Sequence, residues 1–232
     1  MKLAVLSDIH GNHYALEKVL HRAKHDGVEQ LLVLGDFVGY YYHPEKVLSL
    51  LDNWKYKAIR GNHEDLLEGL MAGSLSPLAI RHKYGSGHEK AIEKLSQSQK
   101  DFLIGLPNQL TLQIDNITVM MVHGAPWEKD FYLYPDCSKE ILDRCDYDGI
   151  DFILAGHSHY AFCCSNKHST LINTGSVGQS RNQSGLAQWT IINTITRTFE
   201  MRSTPYDVSA LLAEIDEIDS KNNYLKEVLI RN

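Results

Sequence analysis

The first third of the chain alternates apolar runs with amphipathic segments, and this order constrains the fold more than any other feature. Apolar runs at 3–6, 31–34 and 57–59 predict strands. Between them, His13–His25 places its apolar residues on one helical face. Pro44 then opens a shorter helix, because proline is tolerated at the first helical position. This β-α-β-α-β order predicts parallel strands joined by right-handed crossover connections.

The rest of the chain has more strands and fewer crossovers. Residues 64–105 are predicted to be helical, and after them the runs 109–114 and 117–122 predict a hairpin. A short helix, five further strands and a C-terminal helical segment follow, at 138–144, at 152–154, 160–165, 169–172, 186–193 and 196–202, and at 206–232. Parallel strands followed by mostly antiparallel ones predict an α/β fold with two packed sheets and helices outside. We expect one domain over 1–232.

The bulk composition excludes several classes of protein. With 232 residues, 43% of them hydrophobic, the chain can bury one sizeable core. A net charge of -6 argues against binding of long nucleic acid, which normally requires a basic surface. The N-terminal residues lack a signal-peptide pattern, and no run approaches the roughly 18 apolar residues of a membrane span. We therefore expect a cytoplasmic protein with no membrane partner.

Acidic and imidazole side chains follow five of the apolar runs, where each predicted strand ends. A single aspartate there is more often a turn former or helix cap, and a single histidine more often an ordinary hydrogen-bonded residue. Five such junctions together predict a cluster, because functional groups gather beyond the carboxyl ends of strands in open α/β sheets. The junctions are Asp8-Ile9-His10, Gly35-Asp36, Gly61-Asn62-His63-Glu64, His123-Gly124 and Gly156-His157-Ser158-His159.

The cluster predicts bound metal, because burying several carboxylates and imidazoles together costs too much without a compensating cation. Oxygen and imidazole ligands without thiolate favour Mn²⁺, with Fe or Zn²⁺ as alternatives. Seven candidate ligands exceed the need of one catalytic ion, so we expect two divalent ions with the Asp36 carboxylate shared between them. The candidates are Asp8, His10, Asp36, Asn62, His123, His157 and His159. Two ions about 3.5–4 Å apart suit phosphoryl chemistry, because they generate hydroxide and stabilise the developing charge.

His63 follows Asn62 directly and is the remaining candidate of these motifs. An imidazole beside the ions can protonate a leaving alkoxide, a role that suits its pKa near neutrality. The alternatives are an eighth ligand or a residue that starts a helix. We predict the general-acid role.

Taken in order, these motifs resemble the calcineurin-like metallophosphoesterase superfamily over residues 3 to about 203. The resemblance implies a four-layer αββα sandwich, in which two mixed β-sheets are flanked by helices. It assigns His63 as general acid, and it assigns two sets of metal ligands that share one aspartate. The first set is Asp8, His10, Asp36 and His159, and the second is Asp36, Asn62, His123 and His157.

The residues after Asp36 distinguish branches of this superfamily. Protein serine/threonine phosphatases continue this motif with an aspartate and an arginine, whereas here Gly39 and Tyr40 stand in those places. Together with Asn173–Gln179, the motif looks like the small bacterial and archaeal phosphodiesterase branch, although Thr174 departs from the usual proline. The resemblance implies hydrolysis of a small phosphodiester or phosphomonoester by a metal-activated hydroxide, with nucleotide-derived esters as the favoured class. The alternatives are a non-catalytic metal-binding scaffold of the same fold and a nuclease.

Three residues are candidates for substrate contact. Arg181 and Arg60 are the arginines closest in sequence to the site loops, and a guanidinium can bind two phosphate oxygens at once. Arg60 is equally well explained by a surface ion pair. Tyr40, the first of three consecutive tyrosines, can stack on a nucleobase or pack its loop against the helices, and packing is favoured slightly. The helices of 64–105 are expected to overhang the site and limit substrate size.

Overall fold

Two five-stranded sheets form the centre of the computed structural model, which describes residues 1–231. The first sheet has the order β10-β9-β1-β2-β3 and comprises β1 (Lys2–Leu6), β2 (Gln30–Val33), β3 (Tyr56–Ala58), β9 (Leu186–Asn193) and β10 (Thr198–Pro205). The second has the order β4-β5-β6-β8-β7 and comprises β4 (Gln109–Ile114), β5 (Ile117–Val122), β6 (Phe152–Ala155), β7 (Ala161–Ser165) and β8 (Thr170–Thr174).

Both sheets are mixed. In the first sheet β1, β2 and β3 are parallel, and β9 and β10 complete it with antiparallel pairing. In the second sheet β5, β6 and β8 are parallel, while β4 and β7 pair antiparallel at the two edges. The parallel strands point their carboxyl ends to one edge of each sheet, so the loops that follow them can meet.

Alternate residues of the inner strands pack against different layers. In β1, Leu3 and Val5 face a core shared with the second sheet, whereas Ala4 and Leu6 face the helices of the outer layer. Strands covered on both faces have nearly continuous apolar sequences, which explains why the short runs in the first third were recognisable.

Helices cover the outer faces of both sheets and complete the predicted αββα sandwich. Apolar residues of the first two helices pack on the first sheet, and Ile141 and Leu142 pack on the second. The helices are α1 (His13–His25), α2 (Pro44–Leu51), α3 (Asn62–Met71), α4 (Pro77–Tyr84), α5 (Gly87–Lys94), α6 (Gln97–Ile104), α7 (Lys139–Asp143), α8 (Ser209–Ile218) and α9 (Asn223–Ile230). Among residues 1–231, none of the helices has both the length and the apolar character that crossing a membrane requires.

Most element boundaries lie within two residues of the sequence prediction, and two differences are larger. The strand predicted to end at 202 continues to Pro205, because β10 pairs with β9 along its full length although Ser203–Pro205 has no apolar pattern. The C-terminal segment predicted over 206–232 contains two helices, α8 and α9, with Asp219 at the end of the first. The last residue of that segment, Asn232, lies outside the described residues.

Candidate metal centre

The loops after five parallel strands bring the predicted ligands to one place. Asp8, Asp36 and Asn62 follow β1, β2 and β3 of the first sheet. His123 follows β5, and His157 and His159 follow β6, both in the second sheet. All six aspartate and histidine candidates are buried, and Asn62 is half-buried.

The candidates form two groups that share one carboxylate. Within each group the potential ligand atoms lie within 4.8 Å of one another. Asp36 belongs to both groups, and its Oδ2 atom lies 3.7 Å from His10 Nε2 and 3.3 Å from His123 Nε2. The first group is Asp8, His10, Asp36 and His159, and the second is Asp36, His123 and His157. Asn62 Oδ1 adjoins the second group, 3.1 Å from His123 Nε2. The two groups, with Asn62 beside the second, contain the residues of the two sets that the resemblance implied, and their role as metal ligands stays a prediction.

Backbone carbonyls determine which nitrogen of each first-group histidine faces inward. His10 Nδ1 lies 3.0 Å from the carbonyl oxygen of Val38, and His159 Nδ1 lies 2.8 Å from that of Gln179. A carbonyl oxygen only accepts hydrogen bonds, so each Nδ1 carries the proton and donates. The two Nε2 atoms therefore hold lone pairs, and they face each other 3.1 Å apart.

The second group repeats this arrangement. His123 donates from Nδ1 to the carbonyl of Leu34 at 2.7 Å, and His157 donates from Nε2 to that of Asp130 at 3.1 Å. The inner nitrogens again lie 3.1 Å apart. Facing lone pairs repel unless a proton or a cation lies between them, and second-shell carbonyls of this kind are typical of metal-ligating histidines.

Asp8 supplies a further indication of a cation. Its Oδ2 accepts a hydrogen bond from the backbone N–H of His157 at 2.9 Å. Its Oδ1 is buried and lies 3.2 Å from His159 Nε2, but that nitrogen holds a lone pair because the ring proton is on Nδ1, so Oδ1 receives no hydrogen bond within residues 1–231. A buried carboxylate oxygen without a donor is costly unless a positive charge compensates it. Oxygen and imidazole donors of this kind fit a divalent ion of the Mn²⁺, Fe²⁺ or Zn²⁺ class.

The backbone at the ligands adopts left-handed conformations that side chains disfavour. Eight non-glycine residues of the described chain have positive φ, and five of them are predicted ligands. These five are Asp8, His10, Asp36, His157 and His159, with φ between 52° and 65°. Each such conformation costs on the order of 1 kcal/mol or more and persists only where the surroundings impose it. The packing of the fold therefore orients these ligands.

Glycine allows the two sheets to approach each other at the site. A Cβ atom added to Gly156, which precedes His157, would overlap Ser7 Oγ and lie 2.6 Å from Asp8 Oδ2. Because glycine has no side chain, the loop after β6 can lie directly on the end of β1. This close approach explains one of the glycines that the sequence places at strand ends.

The pKa shifts in the cluster follow from burial and mutual attraction. Burial raises the pKa of Asp36 and lowers the pKa of His10. Burial also lowers the pKa of His157, to about 3. Burial alone would also lower the pKa of His123, but the carboxylates of Asp36 and Asp8 outweigh it and raise that pKa to about 10. Without metal, a proton on His123 Nε2 therefore lies where a cation would bind, 3.3 Å from Asp36 Oδ2 and 3.1 Å from His157 Nδ1. Two buried carboxylates among four imidazoles form an environment that favours a compensating cation.

The sequence pattern of the calcineurin-like phosphoesterase superfamily domain matches residues 1–196. The chain belongs to this superfamily. Its match covers every predicted ligand and stops before the two C-terminal helices.

Individual proteins similar to this metallophosphoesterase come from archaea and bacteria. An uncharacterized protein of Methanocaldococcus jannaschii is 29% identical over 92% of this chain and 91% of its own length. A hypothetical protein from Pyrococcus horikoshii superposes with a TM-score of 0.84 at 20% identity, covering 100% of this chain and 98% of its own. A metallophosphoesterase from Sphaerobacter thermophilus superposes with a TM-score of 0.77 at 23% identity, covering 99% and 98%. These superpositions support the fold.

Glu64 has a structural role in this metallophosphoesterase that the sequence did not predict. Its buried carboxylate accepts hydrogen bonds from the backbone N–H groups of Asp36, Phe37 and Gly61 at 2.8, 2.8 and 2.9 Å. The bonds join the loop after β2 to the start of α3. Burial raises the pKa of Glu64 to about 7. The only sequence signal was the position of Glu64 three residues after Gly61, from which its carboxylate can accept a hydrogen bond from the backbone N–H of the N-cap residue.

The three tyrosines after Gly39 are packed inside the protein. Tyr41 and Tyr42 are fully buried against α8 and α9, and Tyr40 is 5% exposed. The Tyr40 ring lies edge-on to His10 with centroids 4.7 Å apart. Burial favours the packing alternative over stacking on a nucleobase, and the partners are mainly the C-terminal helices.

The two candidate arginines have different surroundings. Arg60 pairs with Asp65 and Glu68 and donates to the carbonyl oxygen of Ile104 at 2.7 Å, so the ion-pair alternative accounts for it. Arg181 is paired with no carboxylate of the described chain, and its Nε atom is buried without a partner. Burial opposes its charge, but the electrostatic influence of Tyr224, Tyr40, Tyr132 and Asp8 raises the pKa of Arg181. Its backbone N–H donates to the carbonyl oxygen of His159 at 3.2 Å, so Arg181 lies beside the cluster, and its contact with substrate stays a prediction.

Proposed function

We propose that the chain is a dinuclear metal-dependent phosphoesterase that hydrolyses a small phosphodiester or phosphomonoester, with nucleotide-derived esters as the preferred class. The facing imidazole nitrogens, 3.1 Å apart in two adjacent groups, are the observation that carries the proposal. Each pair calls for its own cation, and Asp36 is the carboxylate that both groups share. Membership of the phosphoesterase superfamily supports hydrolysis of a phosphate ester.

In this proposal Asp8, His10, Asp36 and His159 would hold one divalent ion, and Asp36, Asn62, His123 and His157 would hold the other. Mn²⁺ is the preferred metal, with Fe or Zn²⁺ as alternatives. Bound there, two such ions supply Lewis-acid chemistry, which activates water and neutralises phosphate oxygens. The carbonyls of Val38, Gln179, Leu34 and Asp130 keep the four imidazoles in the coordinating tautomer.

His63 would act as the proton donor to the leaving group. Its Nδ1 atom is buried and has no partner among residues 1–231, whereas Nε2 is the nitrogen left for a substrate. The proton passes from this imidazole to the leaving oxygen as the P–O bond breaks. Burial, together with the neighbouring His10 and His88, lowers the pKa of the free His63 ring well below 6.5. The negative charge of a bound phosphate ester favours the protonated ring and opposes this shift.

Arg181 would bind the non-bridging phosphate oxygens. Its guanidinium has no carboxylate partner in the described chain and is partly desolvated, which strengthens a charge-assisted hydrogen bond to an anion. The acidic net charge of -6 favours a small ester over long nucleic acid.

The direct test is hydrolysis by purified protein loaded with Mn²⁺, with metal content measured on the same sample. We expect cleavage of bis-p-nitrophenyl phosphate or p-nitrophenyl phosphate. A panel that includes cyclic and dinucleoside esters then ranks the substrates. A His63→Ala preparation made in parallel controls for contaminating phosphatases. If metal is bound and both chromogenic esters stay intact, the alternative of a non-catalytic scaffold replaces the proposal.

A nuclease is the second alternative, and salt dependence distinguishes it. Binding of long nucleic acid releases condensed counterions, so its affinity falls steeply as salt concentration rises. We expect the activity on small esters to change little between about 50 and 200 mM salt. Cleavage of single-stranded DNA that falls several-fold over this range would favour the nuclease instead.

A further inference from the structure

The proposed proton donor lacks the acidic partner that orients an equivalent histidine in protein phosphatases. Gly39 stands where that aspartate would be. A Cβ atom at Gly39 would overlap His63 Nδ1 and lie 2.9 Å from Cε1, so the ring lies directly on the backbone of residue 39. No side chain within residues 1–231 makes a hydrogen bond to this ring. Something other than a carboxylate must determine its orientation.

Aromatic rings surround His63 on several sides. The His88 ring is stacked on it, with centroids 5.0 Å apart and planes 12° apart. Tyr40 lies at 4.9 Å with a 33° tilt, and Tyr84 is edge-on at 4.9 Å. His88 also donates from Nε2 to the backbone carbonyl of His63 at 3.2 Å. One residue thus contacts both the ring and the backbone of the proposed acid.

His88 is held by contacts that involve the C-terminal helices. The residue before α5, Ser86, donates from its backbone N–H and its hydroxyl to the Asp219 carboxylate, at 2.8 and 2.7 Å. A Cβ atom at Gly87 would lie 2.6 Å from the backbone of Gly39 and Tyr40, so α5 begins in contact with the loop that supports His63. Asp219 lies beyond residues 1–196, outside the part of the chain that matches the superfamily.

His88 is buried, and nothing else explains its polar ring there. It is 1% exposed, and its Nδ1 has no hydrogen-bond partner in the described part of the chain. A buried nitrogen without a partner costs on the order of 1 kcal/mol or more. An apolar residue would avoid this cost if filling space were the only requirement.

We propose that His88 is a positioning residue, which holds the His63 ring by stacking and by its hydrogen bond to the His63 carbonyl. This proposal rests on the proposed function, because the orientation of the His63 ring affects catalysis only if His63 donates a proton to the leaving group. The stack takes the place of the missing aspartate: it restricts rotation of the ring without adding a negative charge beside the metal cluster.

Three variants separate the contributions of His88. His88→Phe keeps a flat ring and loses the donor, whereas His88→Gln keeps a donor and loses the ring. His82→Ala removes an exposed histidine of the neighbouring helix and is the control. If His88→Gln fails to fold, Asp219→Asn weakens the anchor of Ser86 while keeping the side-chain size. Thermal unfolding and metal content are measured for each.

The first measurement follows the ring and requires no activity. In metal-free protein we expect a nuclear Overhauser contact between the Hε1 proton of His63 and the Hα protons of Gly39. It should persist in His88→Phe and be lost in His88→Gln. A contact that stays in His88→Gln would overturn the proposal, whatever the enzyme does.

The second measurement compares two diesters whose leaving groups need the proton to different extents. Phenolate is more basic than p-nitrophenolate, so diphenyl phosphate depends more on a proton donor than bis-p-nitrophenyl phosphate does. We expect His88→Gln to lower kcat on the phenyl ester by about 10-fold or more and on the nitrophenyl ester by less than about 3-fold, without a change in KM. Equal losses on both esters, or loss of bound metal, would overturn the positioning role. A wild-type protein that cleaves neither ester refutes the proposed function and leaves the contact measurement to decide on His88.

Discussion

The Nε2 atoms of His10 and His159 lie 3.1 Å apart, and both rings use their other nitrogen to donate to the backbone. Two lone pairs at this distance destabilise the metal-free protein. A cation removes the repulsion, so metal binding and folding should be strongly linked.

Metal addition should therefore stabilise the fold. At about 100 times the dissociation constant, a bound ion contributes about 2.7 kcal/mol, which corresponds to a rise in Tm on the order of 5–10 °C. Thermal unfolding of chelator-treated protein, with and without Mn²⁺, Fe²⁺ or Zn²⁺, measures the shift. A variant of an exposed histidine, His25→Ala, should show the same shift as the wild type. Identical Tm values with and without every metal would contradict the cluster's proposed role.

Asp36→Asn should reduce metal occupancy in both groups. Asp36 is the residue common to both, and a neutral amide binds divalent ions more weakly than a carboxylate does. Elemental analysis of the purified variant counts the ions per chain. Asp52→Asn serves as the control, because Asp52 is an exposed aspartate at the end of α2. A variant that loses one ion and keeps the other would show that Asp36 does not bridge.

His63→Ala should lower turnover by a factor on the order of 10² or more while bound metal remains. The imidazole is buried beside the cluster and belongs to neither group of potential ligand atoms. Steady-state rates and metal content measured on one preparation give both quantities. If the variant loses metal, His63 is a ligand and the proton donor must be sought elsewhere.

Arg181→Gln should raise KM by about 10-fold or more, because a charge-assisted hydrogen bond to phosphate contributes roughly 1.5–3 kcal/mol. Arg60→Gln should chiefly reduce stability, by about 1 kcal/mol, since Arg60 is already paired with Asp65 and Glu68. Kinetics and urea unfolding of both variants separate the two effects. A rise in KM for Arg60→Gln alone would reverse the assignment.

Glu64→Gln should destabilise the protein by roughly 2–4 kcal/mol. The carboxylate oxygens accept hydrogen bonds from several backbone N–H groups. In glutamine one of these oxygens becomes an NH₂ group, which cannot accept and would face the backbone N–H donors. Urea unfolding measures the loss, and Glu93→Gln, an exposed glutamate paired with Lys90, is the matched control. A loss below about 0.5 kcal/mol would show that the Glu64 carboxylate does not hold this loop.

The candidate site was largely predictable because its residues follow apolar runs of recognisable length. Strands buried on both faces have continuous apolar sequences, and parallel strands must end at a common edge. That physical rule alone predicted that Asp8, Asp36 and Asn62 lie together. The same rule could not place His123, His157 and His159 beside them. These histidines follow strands of a second sheet, whose position relative to the first depends on packing between strands distant in sequence.

Residues that support the site were not predictable in the same way. Glu64 acts on backbone N–H groups 27 and 28 residues away, and Asp219 contacts Ser86 across 133 residues of sequence. Neither contact leaves a repeating pattern in the sequence, because each forms only where two loops distant in sequence meet. His88 resembled any surface histidine in sequence, and only its stack on His63 distinguishes it.

The sequence by itself determined the superfamily, the order of the first three strands and the identity of the candidate ligands, because apolar periodicity and residue chemistry are local properties. The tertiary structure decided how those ligands are presented. It put five of them in left-handed backbone conformations and turned the inner nitrogens of the four histidines toward one another in two pairs. It also divided the ligands into two groups that share Asp36. These features depend on packing between two sheets and on carbonyls from other loops, and no local pattern in the chain encodes them.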